Sequence, residues 1–355
     1  MPVIDADCHT IETEDTWAFM TGEDARYRPR VLAVEGGRKD SSGEAEALWL
    51  YDANFANKRA FPPDKAKVTA AAARMEDMPA RFADMDRFGV DIQVLYPTVM
   101  LGVASLARRE TQIAMCKGYN RWVAAKTAAH RDRLRWVATL PFETMDVALK
   151  ELEWCAENGA CGVMMHGLLR DRTVVDDYFF PVYSAAEALN LPITIHSGLA
   201  NHSFEGIFHS RATGIWNSKF PVIASMHALL HADIPGRFPK LRWGFVEAAA
   251  SWVPYLLTDM TARAQRLGLK GSGGKFSPRD ALARNRFYVT CQNEEDLPYI
   301  IQWAGEDNLV IGSDYSHVDN AAEFEAIKLF RDREGLSAAQ KKKILEDNPA
   351  ALYGI

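Results

Sequence analysis

Eight short apolar runs, separated mostly by amphipathic stretches, constrain the fold of this chain more than any other feature. They are VIDAD (3–7), DIQVLYPT (91–98), RWVATLP (135–141), GVMMH (162–166), PITIHS (192–197), RWGFVEA (242–248), RFYVTC (286–291) and NLVIGSD (308–314). Most are nearly continuous in apolar residues, the pattern of strands buried on both faces beneath covering helices. Helical patterns at 108–133, 144–159, 180–190 and 250–268 fill several of the gaps. Strands alternating with helices read as parallel βα units, and eight is a number that closes a barrel. The expected fold is α/β, a (β/α)8 TIM barrel forming one domain over 1–355. A doubly wound sheet is the alternative, but its glycine fingerprint is missing, and GSGG (271–274) reads as a loop. Segment 21–80, rich in charge, Pro and Gly, reads as an insertion or lid after strand one. Segment 198–220 reads as a second insertion, after strand five.

Composition narrows the function classes. The net charge is -6 and no basic stripe with interleaved aromatics appears, so no nucleic-acid partner is expected. No apolar run approaches the ~18 residues of a membrane span. The five cysteines (Cys8, Cys116, Cys155, Cys161 and Cys291) are scattered and never spaced as CxxC. That argues against a disulfide framework or a zinc knot and fits a reducing, cytoplasmic setting.

The chemistry lies in where the polar residues fall. Strand one ends in Asp7 and His9 with Glu12 just beyond, strand four in His166, strand five in His196, strand six in Glu247 and strand eight in Asp314. In a parallel barrel the carboxyl ends of all strands share one face, where active sites form. So many acids and imidazoles, desolvated together, would repel one another without a cation. A metal site at the barrel mouth is therefore expected.

The stretches IDADCHTIE, PITIHSG, RFPKLRWGFVEAAASWVPYLL and LVIGSDYSH resemble the amidohydrolase superfamily. They are most similar to its amidohydrolase-related branch, which includes aminocarboxymuconate semialdehyde decarboxylase; ADMDRFGVDIQVLYPT (83–98) fits the same branch. The resemblance implies a barrel with metal at its carboxyl face. It places the strand-one ligand pair on Asp7 and His9, the strand-five ligand on His196 and the strand-eight acid on Asp314. This branch is often dimeric, so a homodimer is implied as well. Two departures stand out. Strand one has Asp-x-His in place of His-x-His, and the histidine that decarboxylases carry after strand six is Glu247 here.

Four ligands suffice for one zinc or manganese ion, which leaves Glu12 and Glu247 surplus. A second cation would absorb them, with His166, His202 or His227 as a further imidazole. The resulting carboxylate-rich set resembles a subgroup of amidohydrolase-fold nonheme di-iron monooxygenases known from platensimycin-type diterpenoid biosynthesis. On this reading the cofactor is two Fe ions, and the partners are O2, an electron donor and a bulky hydrophobic small-molecule substrate. The alternative is a Zn2+- or Mn2+-dependent hydrolase or decarboxylase. Glu247, Asp314 and His317 are the expected catalytic groups, and His202, Trp216, Trp252 and Tyr96 are expected to line the substrate pocket.

Overall fold

The computed structural model describes the chain except residues 38, 40–42, 53, 59–67, 107, 199–214, 216, 217, 268–277 and 318–321. Strand β1 (Ile4–His9) is followed by β2 (Arg30–Ala33), β3 (Ala47–Tyr51) and β4 (Asn54–Lys58), which form a separate antiparallel sheet inside the first insertion. Next come β5 (Ile92–Tyr96), β6 (Leu134–Thr139) and β7 (Ala160–His166), then the small hairpin β8 (Leu168–Leu169) and β9 (Arg172–Thr173). The last strands are β10 (Ile193–His196), β11 (Trp243–Val246), β12 (Phe287–Cys291) and β13 (Leu309–Ile311). An eight-stranded parallel sheet runs β1-β5-β6-β7-β10-β11-β12-β13, the strands read from the apolar runs.

Helices Arg109–Thr127, Met145–Glu157, Phe180–Ala188 and Trp252–Leu267 occupy the four expected helical stretches, each ending short of the apolar pattern. Glycine decides one of those ends. Met145–Glu157 stops at Asn158, and Gly159 then takes φ 97°, a value that an L side chain resists. The first insertion is more ordered than its composition suggests. Lys58 on β4 pairs with Glu44 (2.7 Å) inside the insertion and with Glu14 (3.0 Å) on the short helix Glu14–Ala18 that follows β1.

Two apolar layers build the barrel. Ile4, Ala6, Val94, Tyr96, Val137, Met164, Val246 and Val310 fill the interior, while Cys8 belongs to the layer between strands and helices. β1 therefore changes face along its length. Ile4 and Asp5 pair with Ile92 and Gln93, but Cys8 and His9 pair with Leu95 and Tyr96, so β1 holds one extra residue between these registers. Such a bulge re-aims the side chains beyond it. Here it turns Asp7 and His9 toward the barrel mouth.

The sheet closes between β13 and β1 around the same stretch. Asp314 N donates to Asp7 O (2.9 Å) and His9 N to Tyr315 O (2.8 Å). Asp5 accepts from Ser313 N (2.9 Å) and from the Ser313 hydroxyl. Asp5 thus belongs to barrel closure rather than to the mouth. Arg81, fully buried, clamps the outside of the joint: it donates to Gln93 Oε1 (2.8 Å) and His9 O (3.1 Å) and lies over the Tyr315 ring at 4.6 Å.

Candidate metal centre

Five side chains from four strand ends converge. His196 Nε2 lies 3.3 Å from Asp7 Oδ1 and 3.3 Å from Glu247 Oε2. His9 Nε2 lies 3.5 Å from Asp7 Oδ1 and 3.4 Å from Asp314 Oδ1. Asp7, His9, His196 and Asp314 are almost wholly buried. A cavity lined by Asp7, Glu247, Thr290, Gln292 and Asp314 opens beside them.

The imidazole tautomers show what this arrangement is for. His9 Nδ1 faces Pro97 O at 2.7 Å and His196 Nδ1 faces Ser197 O at 2.6 Å. A carbonyl oxygen only accepts, so both Nδ1 atoms carry hydrogen, and in the neutral rings both Nε2 lone pairs point at carboxylate oxygens. Lone pair against carboxylate is repulsive unless a proton or a cation lies between them. His9 Nε2 and Glu247 Oε2 are buried and make no hydrogen bond among the described residues. Donor atoms held about 2.1 Å from one tetrahedral ion sit roughly 3.4 Å apart, close to the 3.3–3.5 Å found here. The donor set fits a divalent ion.

Without the ion, a proton takes its place. Burial opposes an imidazolium, yet Asp7, with Glu247 adding to it, pushes His196 up to about 9. Burial alone would raise Asp7, but His196 and His9 hold it well below the usual carboxylate range. Burial raises Glu247 against the pull of His196, and Asp7 adds to the rise. The ion must therefore displace the His196 proton. Apparent affinity for Zn2+ or Mn2+ is expected to rise about tenfold per pH unit until pH reaches roughly 9. Competition titrations with a chelator at several pH values measure that slope, and a flat line would show that His196 holds no displaceable proton.

Asp314 is oriented from behind. His317 Nδ1 lies 2.8 Å from Asp314 Oδ1, and the His317 ring stacks on His9 with centroids 3.8 Å apart. Thr98 Oγ1 donates to Thr10 O (2.9 Å), so it accepts from His317 Nε2 (2.9 Å). His317 Nε2 is thus the ring's N–H, and in the neutral ring Nδ1 turns a lone pair on Asp314 Oδ1, so His317 stands with His9 and Asp314 in a donor group. Thr98 carries no signal in the sequence that singles it out.

Several expected site residues lie elsewhere. Glu12 is fully buried but accepts from the backbone N–H groups of Thr98 (3.1 Å), Val99 (2.9 Å) and Met100 (3.2 Å). Burial raises its carboxyl and these amides pull it back. Both oxygens hold the turn after β5, so the count of surplus carboxylates that suggested a second cation loses Glu12.

His227 sits half-buried on helix Lys219–His231, its ring parallel to that of His231 with centroids 5.9 Å apart, outside the donor groups. His166 pairs with His196 across β7 and β10, its Nδ1 3.3 Å from His196 O. Burial, and then His196, push it down to about 4. It backs the ligand strand and lies outside the donor groups.

Tyr96 lies beneath the His196 ring with centroids 4.8 Å apart. Its hydroxyl points away, to Tyr353 Oη at 2.8 Å. Trp252 is half-buried and donates to Ala249 O (2.7 Å). His202 and Trp216 lie outside the described residues.

His9 also belongs to a second donor group, with Asp314 and His317. Its Nδ1 is committed to Pro97 O, so His9 has one nitrogen to offer to an ion.

The amidohydrolase family model matches residues 4–355, nearly the whole chain. The chain belongs to the amidohydrolase family. This amidohydrolase is 21% identical over 289 residues to a 2-amino-3-carboxymuconate-6-semialdehyde decarboxylase from Dictyostelium discoideum, covering 79% of the chain and 77% of the relative. It is 23% identical over 318 residues to a gamma-resorcylate decarboxylase from Polaromonas sp., covering 82% and 92%. Among solved structures, an amidohydrolase from Mycobacterium avium subsp. paratuberculosis superposes with a TM-score of 0.80 at 19% identity, covering 100% of this chain and 98% of the other. A 5-carboxyvanillate decarboxylase from Novosphingobium aromaticivorans, complexed with manganese and a nitrobenzoic acid, gives 0.64 at 20% identity over 78% and 79%. These likenesses place the amidohydrolase on the barrel fold of its family. Among the described residues no helix is long and apolar enough to cross a membrane.

Proposed function

We propose that this amidohydrolase is a one-metal decarboxylase acting on a small unsaturated or aromatic carboxylate. Asp7, His9, His196 and Asp314 would hold one Mn2+ or Zn2+ ion, whose chemistry is to neutralise and orient the substrate's anionic oxygens. Glu247 supplies the proton. Its Oε2 faces the donor cluster from the end of β11, raised by burial toward the protonated state that a general acid needs. As the bond to the carboxyl carbon breaks, its electron pair stays on the remaining carbon, and the Glu247 proton is delivered there. CO2 leaves and a C–H bond forms. Glu247 then regains its proton from solvent through the cavity that it lines.

The observation that carries this reading is the double use of acids at the mouth. Glu12 is spent on backbone amides, which weakens the argument for a second ion, and Glu247, outside the four proposed ligands, keeps a buried oxygen that makes no hydrogen bond among the described residues. The curated relatives named above, both decarboxylases by name, support it.

The test is metal analysis followed by CO2 release. The metal-loaded protein is expected to carry one ion per chain and to release CO2 under argon from a panel that includes 2,6-dihydroxybenzoate and 5-carboxyvanillate. In that assay Glu247→Gln should keep the ion and lower turnover about 10²- to 10⁴-fold, the usual contribution of a general acid.

An oxygen-reducing di-iron centre is the second reading. It is favoured by the three carboxylates that stand beside imidazoles in the donor groups, since mixed N/O ligation suits iron. Two irons per chain with O2 uptake on substrate addition would establish it and sink the decarboxylase.

A further inference from the structure

The turn that presents Glu247 has an unusual backbone. Glu247 and Ala249 both lie in the left-handed region, at φ 59° each. That conformation costs of order 1 kcal/mol or more for a residue with a Cβ, and it persists only where the surroundings enforce it. The enforcement comes from the next strand. Glu247 N donates to Thr290 Oγ1 (2.9 Å). Glu295 Oε1 accepts from Ala250 N (2.8 Å), Ser251 N (2.6 Å) and the Ser251 hydroxyl (2.6 Å), and its Oε2 accepts from Gln292 N (2.8 Å). Arg333 in turn holds the Glu295 carbonyl (2.9 Å) and that of Asn293 (2.9 Å). Glu295 is buried. Its carboxylate thus joins the loop after β12 to the turn after β11.

We infer that Glu295, with Thr290, is a positioning residue that locks the strained turn and aims Glu247 into the donor cluster. The inference rests on the reading of Glu247 given above. A buried acid occupied by backbone N–H donors and the Ser251 hydroxyl beside a strained turn does not contact substrate; its effect passes through the carboxylate that the turn carries. Gln292, whose side chain lines the cavity and whose amide is held by the same carboxylate, is fixed at the same time.

The experiment uses Co2+ alone as probe, because its visible absorption reports the ligand field directly. Co2+-loaded wild type, Glu247→Ala, Glu295→Ala, Glu295→Gln and Thr290→Val are compared well below their melting temperatures. Glu295→Ala and Thr290→Val should shift the visible bands in the same direction as Glu247→Ala, and Glu295→Gln, which keeps an acceptor oxygen, should restore much of the wild-type spectrum. A lowered melting temperature with an unchanged spectrum in both Glu295→Ala and Thr290→Val would overturn the inference and leave Glu295 merely structural. If Glu295→Ala does not fold, Thr290→Val decides alone. If Glu247→Ala leaves the spectrum unchanged, Glu247 does not border the ion and the inference falls, while the general-acid reading is judged separately by the CO2 release of Glu247→Gln; a shift in Glu247→Ala alone sinks only the inference.

Discussion

Asp7→Asn is expected to empty the metal centre. One oxygen of Asp7 lies within 3.3 Å of His196 Nε2 and 3.5 Å of His9 Nε2, so a single carboxylate serves both imidazoles. An uncharged amide keeps the shape but loses the charge, and its NH2 can turn a donor toward an ion that repels it. Removing a mere outer-shell partner of a metal ligand costs 10- to 100-fold in affinity, so loss of a charge inside the cluster should cost at least about 100-fold. The same change acts on the metal-free protein. Asp7 is the largest influence raising His196, so the imidazole should fall from about 9 toward its ordinary value. Metal content after dialysis and an NMR titration of His196 measure the two effects. Full metal content in Asp7→Asn would remove Asp7 from the site.

Glu12→Gln should do the opposite, lowering stability while leaving metal content at one ion per chain. The Glu12 carboxyl accepts from three consecutive backbone N–H groups at the start of the turn after β5. A glutamine offers one oxygen, and its NH2 must face an N–H group. A buried donor left without an acceptor costs about 1–3 kcal/mol, and hydrogen bonds to a charged group are worth about 1.5–3 kcal/mol. A net loss of about 3 kcal/mol is expected, which for a domain of this size lowers the melting temperature by roughly 4 °C. Calorimetry and metal analysis on one preparation test both halves. A drop from two ions to one, with stability intact, would return Glu12 to a second metal and with it the oxygenase reading.

The contrast between these two acids shows what the sequence could convey. The strands were legible because apolar runs buried on both faces leave a continuous signature, and all eight form the barrel. The convergence of Asp7, His9, His196, Glu247 and Asp314 was legible because the strand ends of a parallel barrel share one face. The backbone partners of Glu12 were not legible, for a physical reason. A carboxylate satisfied by backbone amides and one awaiting a cation are the same residue type at the same kind of position, and the amides of Thr98, Val99 and Met100 belong to every sequence alike. His317 was placed near the mouth, but its tether to Thr98 depends on two loops meeting. Glu295 sits in an acidic stretch just after strand seven, CQNEED, a signal that was there to be weighed. Nothing in the composition of 21–80 announced its three-stranded sheet.

The extra residue in β1 divides that strand into two stretches under separate constraints. Below it, the side chains of Ile4 and Ala6 pack in the barrel interior; beyond it, those of Asp7 and His9 belong to the donor cluster. Substitutions in the lower stretch can be repacked without touching the reaction, and the ligand pair can be exchanged for another without disturbing the floor. A lineage, or an engineer, can therefore change metal preference in the upper stretch while leaving the lower half of the same strand intact.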